Sequence, residues 1–206
     1  MLQRALDTIR SGGCLIYPTE TLYALGAGAF QPEAARRIMA LKARPQGKPL
    51  PLIIGAKDQL SQITGWMSKT LDHLARSFWP GPLSILVPAR RDLPAEVRDP
   101  RGLTSVRWTA HPLAARLCVL SGTPLIATSA NVSGHPAAAR PEELDRALTK
   151  EVLVLADKPW PAGGRPSTVV RCLGTDLIEV LRHGAVSDEE LLKAGFELVA
   201  APRVGV

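Results

Sequence analysis

Apolar positions along this chain change period several times, and each change marks an element. Leu2, Ala5, Leu6 and Ile9 recur at helical spacing, and Gly12-Gly13 ends that run. Cys14-Leu15-Ile16-Tyr17 is a continuous apolar stretch closed by Pro18, which predicts a short buried strand. Thr19-Glu20-Thr21-Leu22-Tyr23 then reads as a polar loop at the strand's C-terminal end, the edge at which α/β sheets usually bind ligands. Pro32 suits the first position of a helix containing Ala35, Ile38, Met39 and Lys42. That helix is expected to stop near Arg44, because Pro45 disfavours α geometry in the residue before it.

Further strands are predicted at 51–54, 83–87 and 103–108, with a helix over 69–77 and a rigid Trp79-Pro80-Gly81-Pro82 turn between the first two. The charged, proline-containing stretch 90–101 reads as a surface loop. Pro112 opens a helix carrying Leu113, Leu117 and Leu120 on one face, with Gly122 at its end. Leu125-Ile126-Ala127 is strand-like, and Thr128-Ser129-Ala130-Asn131 is its exit loop. A helix over 141–148, strands at 152–155, 168–171 and 177–181, and a helix capped by Ser187 complete the reading. Strands and helices are interleaved without strict alternation. The expected fold class is therefore α/β with α+β character: one twisted, mixed, partly parallel sheet with helices packed on it, not a Rossmann domain. A single domain over 1–206 is expected, with the tail after about 196 frayed.

Composition supports an ordered enzyme-sized domain. Of 206 residues, 46% are hydrophobic and only 4% aromatic, so aliphatic side chains must fill the core. The net charge of +6 favours phosphate-bearing partners without choosing among nucleotides, RNA and anionic membrane. Cys14, Cys118 and Cys172 are far apart and beside apolar residues, which points to free thiols in a reducing compartment, with no disulfide framework and no zinc spacing. The N-terminus has no long apolar run, so no signal peptide or membrane span is expected, and the cytoplasm is the expected compartment.

Two segments carry candidate chemistry. Lys42-Ala43-Arg44, with Lys48 close behind, gathers three cations that suit a triphosphate, Lys as a point charge and Arg as a planar fork. Taken alone, the segment reads as a solvated helix C-terminus, whose dipole favours such residues. Thr128 to Gly134 adds small hydroxyl and amide groups directly after an apolar strand, where phosphates can approach the backbone. Ser167-Thr168 is a third hydroxyl pair. Neither GxxxxGK[ST] nor GxGxxG is present, and no HExxH grouping or GxSxG elbow is found.

Taken in order, Tyr17-Pro18-Thr19-Glu20-Thr21-Leu22-Tyr23-Ala24-Leu25-Gly26, Lys42-Ala43-Arg44-Pro45, Trp79-Pro80-Gly81-Pro82-Leu83, Ser105-Val106-Arg107, Thr128 to Gly134 and Ser167-Thr168-Val169-Val170 resemble the YrdC/Sua5 family of L-threonylcarbamoyladenylate synthases. The resemblance runs from about Gly13 to Arg182. It implies a YrdC-like fold, an α/β twist similar to double-stranded-RNA-binding domains. It implies synthesis of threonylcarbamoyl-AMP and pyrophosphate from L-threonine, bicarbonate and ATP with Mg²⁺, without a tightly bound cofactor or a protein metal site. Partner proteins would then modify adenosine 37 of tRNA, with weak tRNA binding by the chain itself and no membrane. By the same resemblance Lys42, Arg44, Lys48, Ser129, Asn131, Ser133 and Arg182 would face ATP, with Lys42 and Arg44 catalytic. Thr19, Tyr23, Arg107, Thr128 and Ser167 would face threonine, Arg107 pairing its carboxylate. Two positions depart from the pattern: Ile53, where longer members carry His, and His183, where many read Pro. The alternatives are an RNA-binding protein using the same basic concavity and a paralogue with another carbamoyl-type substrate.

Overall fold

A computed structural model describes residues 1–45 and 47–200. Its elements follow the sequence periods closely at the start of the chain. Helix α1 (Leu2–Arg10) turns Ala5, Leu6 and Ile9 inward. Strand β1 (Leu15–Pro18) forms an antiparallel hairpin with β2 (Tyr23–Gly26). Helix α2 (Pro32–Leu41) starts on its proline and is followed by β3 (Leu52–Ile54). A short α3 (Leu60–Ile63), α4 (Lys69–Phe78), β4 (Leu83–Pro88), β5 (Leu103–Trp108) and α5 (Pro112–Ser121) come next. The second half contains β6 (Leu125–Ile126), β7 (Thr128–Ser129), α6 (Arg146–Thr149), β8 (Leu153–Val154), β9 (Thr168–Cys172), β10 (Leu177–Arg182), α7 (Asp188–Lys193) and β11 (Glu197–Ala200).

Instead of one sheet, the strands make two. The larger has the order β11-β10-β9-β4-β5-β3-β6 and the smaller β7-β2-β1-β8, and both mix parallel and antiparallel pairs. The chain crosses between them at Ala127, which separates β6 from β7. Close approach at this seam depends on Gly26, where a β-carbon would fall 1.8 Å from the Ile126 carbonyl oxygen. Every residue of β1 is buried, because the small sheet is covered on both faces. Leu15 and Tyr17 pack with α1 and α5, while Ile16 joins the main core with Ile38, Leu52 and Ile85. Among the described residues no helix is long and apolar enough to cross a membrane.

Three expectations are corrected. The helix expected over 141–148 is broken into a 3-10 turn at Pro141–Glu143 and α6. The Asp145 carboxylate accepts from the Ala147 N–H at 2.9 Å and so starts a new helix there. Tyr23 and Thr128-Ser129, expected in loops, lie in strands that pair with each other's neighbours, Ala24 opposite Ser129 and Leu25 opposite Thr128. The tail is not frayed over Glu197–Ala200. Buried Phe196 anchors it, and β11 adds parallel to β10. Residues 201–206 lie outside the described part.

Candidate active site

Strand alternation makes the floor of a cleft of about 980 Å³. In β4, Leu83, Ile85 and Val87 enter the core while Ser84 and Leu86 face the cleft. In β5, Val106 enters the core while Ser105 and Arg107 face the cleft. Ile53 of β3 and Val169 of β9 extend the floor, the β1–β2 loop and the β6–β7 crossing form one wall, and Arg182 ends β10 on the other. The volume lies at the upper end of the usual range for small-molecule sites, about 300–1,000 Å³.

Eight of the predicted residues line this space: Thr19, Tyr23, Arg44, Arg107, Thr128, Ser129, Ser167 and Arg182. Arg44 is braced by the carbonyl groups of Lys48 and Pro49, both at 2.9 Å, and donates to the Thr128 hydroxyl at 3.3 Å. Arg182 donates through Nη2 to the Ser167 carbonyl at 2.8 Å and to its hydroxyl at 3.0 Å, and the Ser84 and Ser167 hydroxyls are 3.0 Å apart. Burial first, and the neighbouring Arg107 and Arg44 charges second, hold the Arg182 guanidinium below its ordinary pKa. The three guanidinium groups therefore share one field. The one carboxylate among the described lining residues, Asp99, is engaged by Arg101 at 2.8 Å. The Thr19 hydroxyl is spent on the Leu22 carbonyl at 2.7 Å, whereas the buried Tyr23 hydroxyl finds no hydrogen-bond partner among the described residues.

The other four predicted residues sit elsewhere. Ala43 adopts a left-handed φ of 47°, so Lys42 and Arg44 leave the end of α2 in different directions. Lys42 is 2% exposed and lies outside the cleft lining, with its ammonium donating to the carbonyls of Ser129 and Asn131. Burial, assisted by Arg44, lowers its pKa from 10.5 to about 8. The Lys42 carbonyl in turn accepts from the Ser133 N–H at 2.9 Å, so this residue clamps the Ser129–Ser133 segment from behind. Asn131 also braces that segment, donating to the carbonyls of Val132 and His135 at 3.0 and 2.7 Å. Ser133 and Lys48 are exposed outside the cleft lining. Ile53 lies opposite Arg107 in the sheet register and presents an aliphatic side chain to the cleft. His183 turns outward to Asp188, 2.9 Å away, and Arg182 keeps its place beside Ser167.

The chain belongs to the Sua5/YciO/YrdC family. The family model of that name, described as telomere recombination, matches residues 7–184. Similar proteins include the threonylcarbamoyl-AMP synthase of Methylococcus capsulatus, 37% identical over 82% of this chain and 90% of that protein. That of Thiobacillus denitrificans is 40% identical over 79% of this chain and 86% of its own length. The crystal structure of P. abyssi Sua5 complexed with L-threonine superposes with a TM-score of 0.91 at 31% identity, covering 98% of this chain and 59% of the other. This chain thus spans most of the shorter members and little more than half of the longer ones. Sequence reasoning within the family pattern gave no role to Glu20, Ser84 or Ser105. The two serines are signalled only as polar interruptions at alternate positions of apolar strands.

Proposed function

We propose that the cleft condenses L-threonine, bicarbonate and ATP into L-threonylcarbamoyl-AMP and pyrophosphate, in the cytoplasm, for modification of adenosine 37 in tRNA by partner proteins. The observation that carries this reading is the convergence of Arg44, Arg107 and Arg182 with small hydroxyl side chains in one cleft, in a chain whose relatives of similar length are named threonylcarbamoyl-AMP synthases. Arg107 takes the threonine carboxylate, with Thr19, Tyr23, Thr128 and Ser167 around the rest of the amino acid. Arg44, Arg182, Ser129 and the backbone of the Ser129–Ser133 segment take the phosphates. Lys42 and Asn131 hold that segment in place, and Lys48 and Ser133 border it from the solvent side. Mg²⁺ arrives as part of the ATP substrate, since the cleft's acidic residue, Asp99, is already paired.

The threonine amine adds to the bicarbonate carbon; the C–O bond to hydroxide breaks, and the hydroxide leaves with the amine proton as water, giving a carbamate. A carbamate oxygen then bonds to the α-phosphorus as the bond to pyrophosphate breaks. Two anions must meet, and fixed guanidinium groups in the cleft lower their repulsion and stabilise the charge on the departing pyrophosphate. Orientation of three substrates supplies much of the remaining acceleration. The test is pyrophosphate release with each substrate omitted in turn. Release should require threonine and bicarbonate together and should collapse in folded Arg44→Ala. Release without threonine would point to a paralogue with another carbamoyl-type substrate. Salt-sensitive RNA affinity without any release would point to a binding protein.

A further inference from the structure

The cleft has a sorting problem: it must seat a polyphosphate and an amino-acid carboxylate among guanidinium groups that attract both. Glu20 stands at one of them. Its Oε1 is 2.7 Å from Arg107 Nη1, off the hydrogen-bond line, so the contact is an ion pair. Its Oε2 accepts from the Thr109 hydroxyl at 2.6 Å, and that hydroxyl also accepts from the His111 N–H at 3.2 Å. The Glu20 carbonyl accepts from the Ala162 N–H at 3.2 Å, which ties its backbone to the 156–166 segment. The carboxylate is therefore fixed, and at 14% side-chain exposure it is weakly screened by solvent. Among the described residues Arg44 and Arg182 have no such carboxylate partner; their hydrogen bonds go to carbonyls and hydroxyls.

From this asymmetry we infer that Glu20 is the specificity-determining residue that keeps the two anionic substrates apart. By cancelling much of the Arg107 charge, it leaves an end of the cleft that still offers hydrogen-bond donors to the single carboxylate of a zwitterion but little net attraction to a polyphosphate. The attraction forfeited scales with ligand charge, so pyrophosphate loses several-fold more than a carboxylate does. Arg44 and Arg182, uncancelled, hold the polyphosphate end. This inference rests on the reading of the cleft as a threonine and ATP site.

The test uses the full chain and inorganic pyrophosphate as the probe, with L-threonine binding followed by calorimetry in the absence of ATP. In the unaltered protein, pyrophosphate at concentrations that fill its own site should leave threonine affinity within twofold. Glu20→Gln keeps the size and the hydrogen-bonding capacity but removes the charge. It should bind pyrophosphate at a second site, at least about tenfold tighter there than the unaltered protein, and pyrophosphate should now displace threonine. Glu20→Asp should restore the original pattern, and Thr109→Val, which keeps the charge, should resemble the unaltered protein. Competition between pyrophosphate and threonine in the unaltered protein would overturn the inference, and that arm needs no variant to fold. So would a folded Glu20→Gln with unchanged pyrophosphate stoichiometry, or one that loses only kcat, which would make Glu20 a proton carrier. If the unaltered protein binds no threonine, the functional reading fails instead, and pyrophosphate stoichiometry with and without the Glu20 charge still decides this one.

Discussion

Replacing Lys42 by Met separates a clamp from a phosphate ligand. The ammonium makes two charge-assisted hydrogen bonds to backbone carbonyls, those of Ser129 and Asn131. Such bonds are worth about 1.5–3 kcal/mol each, and removing the donor leaves both carbonyls without it. Against this stands the cost of burying the ammonium, visible in its lowered pKa of about 8. The two effects offset globally, so overall stability should change by no more than about 2 kcal/mol. Locally they do not offset, because the lost bonds held one segment. That segment should become easier to open by about 3 kcal/mol, or roughly a hundredfold in hydrogen exchange. The amides to follow are Ala130, Asn131 and Ser133, which donate to Tyr23, Ser129 and Lys42. ATP-dependent pyrophosphate release should fall in parallel, chiefly through a raised KM for ATP. Lost activity with unchanged protection of these three amides would refute the clamp and return Lys42 to direct phosphate contact.

The same residue gives a pH signature. The folded state sheds the Lys42 proton near pH 8 and the unfolded chain only near 10.5, so between those values the unfolded state binds more protons and stability rises with pH. Thermal melts over that window should show this rise in the unaltered protein and a smaller one in Lys42→Met, while ATP affinity falls as the ammonium charge is lost. Gly184→Ala would bring a β-carbon to 2.3 Å from the Pro166 carbonyl oxygen and 2.5 Å from the Thr168 nitrogen, both backbone atoms. The strain should cost about 3 kcal/mol, lower Tm by about 6–12 °C and loosen the Ser167–Arg182 contact, which a raised KM would report. Ser187→Ala removes a capping box in which the serine hydroxyl accepts from the Glu190 N–H at 3.2 Å. It should cost about 1 kcal/mol in denaturant melts and leave activity unchanged.

Helices with strong apolar periods, α1, α2 and α4, were legible in the sequence because one face of each carries most of its buried residues. α5 was legible from Pro112 and Gly122 at its ends, but its face was not: Ala114, Leu117 and Cys118 are buried, whereas Leu120, expected beside Leu117, is exposed. The division into two sheets was not. It depends on the chain crossing at Ala127 and on the contact allowed by Gly26, neither of which leaves a periodic trace. β2 was hidden because Tyr23–Gly26, though buried throughout like β1, contains alanine and glycine, which are depleted in strands, and directly follows a polar loop. Within the site, the arginines and small hydroxyls were legible as types, and eight predicted residues do meet in one cleft. The different directions taken by Lys42 and Arg44 were not legible, because a left-handed alanine between them has no compositional signal of the kind glycine or asparagine gives. Glu20 was passed over because its partners, Arg107 and Thr109, come from a distant strand and its exit.

The central claim is that threonine, bicarbonate and ATP become one molecule in this cleft. Incubating the protein with ¹³C-bicarbonate, L-threonine and Mg-ATP and analysing the nucleotides by mass spectrometry tests it directly. The account predicts an adenylate whose mass contains both threonine and the labelled carbon, absent when either is withheld. AMP and pyrophosphate without that adduct, or an adduct formed with serine and not with threonine, would contradict it.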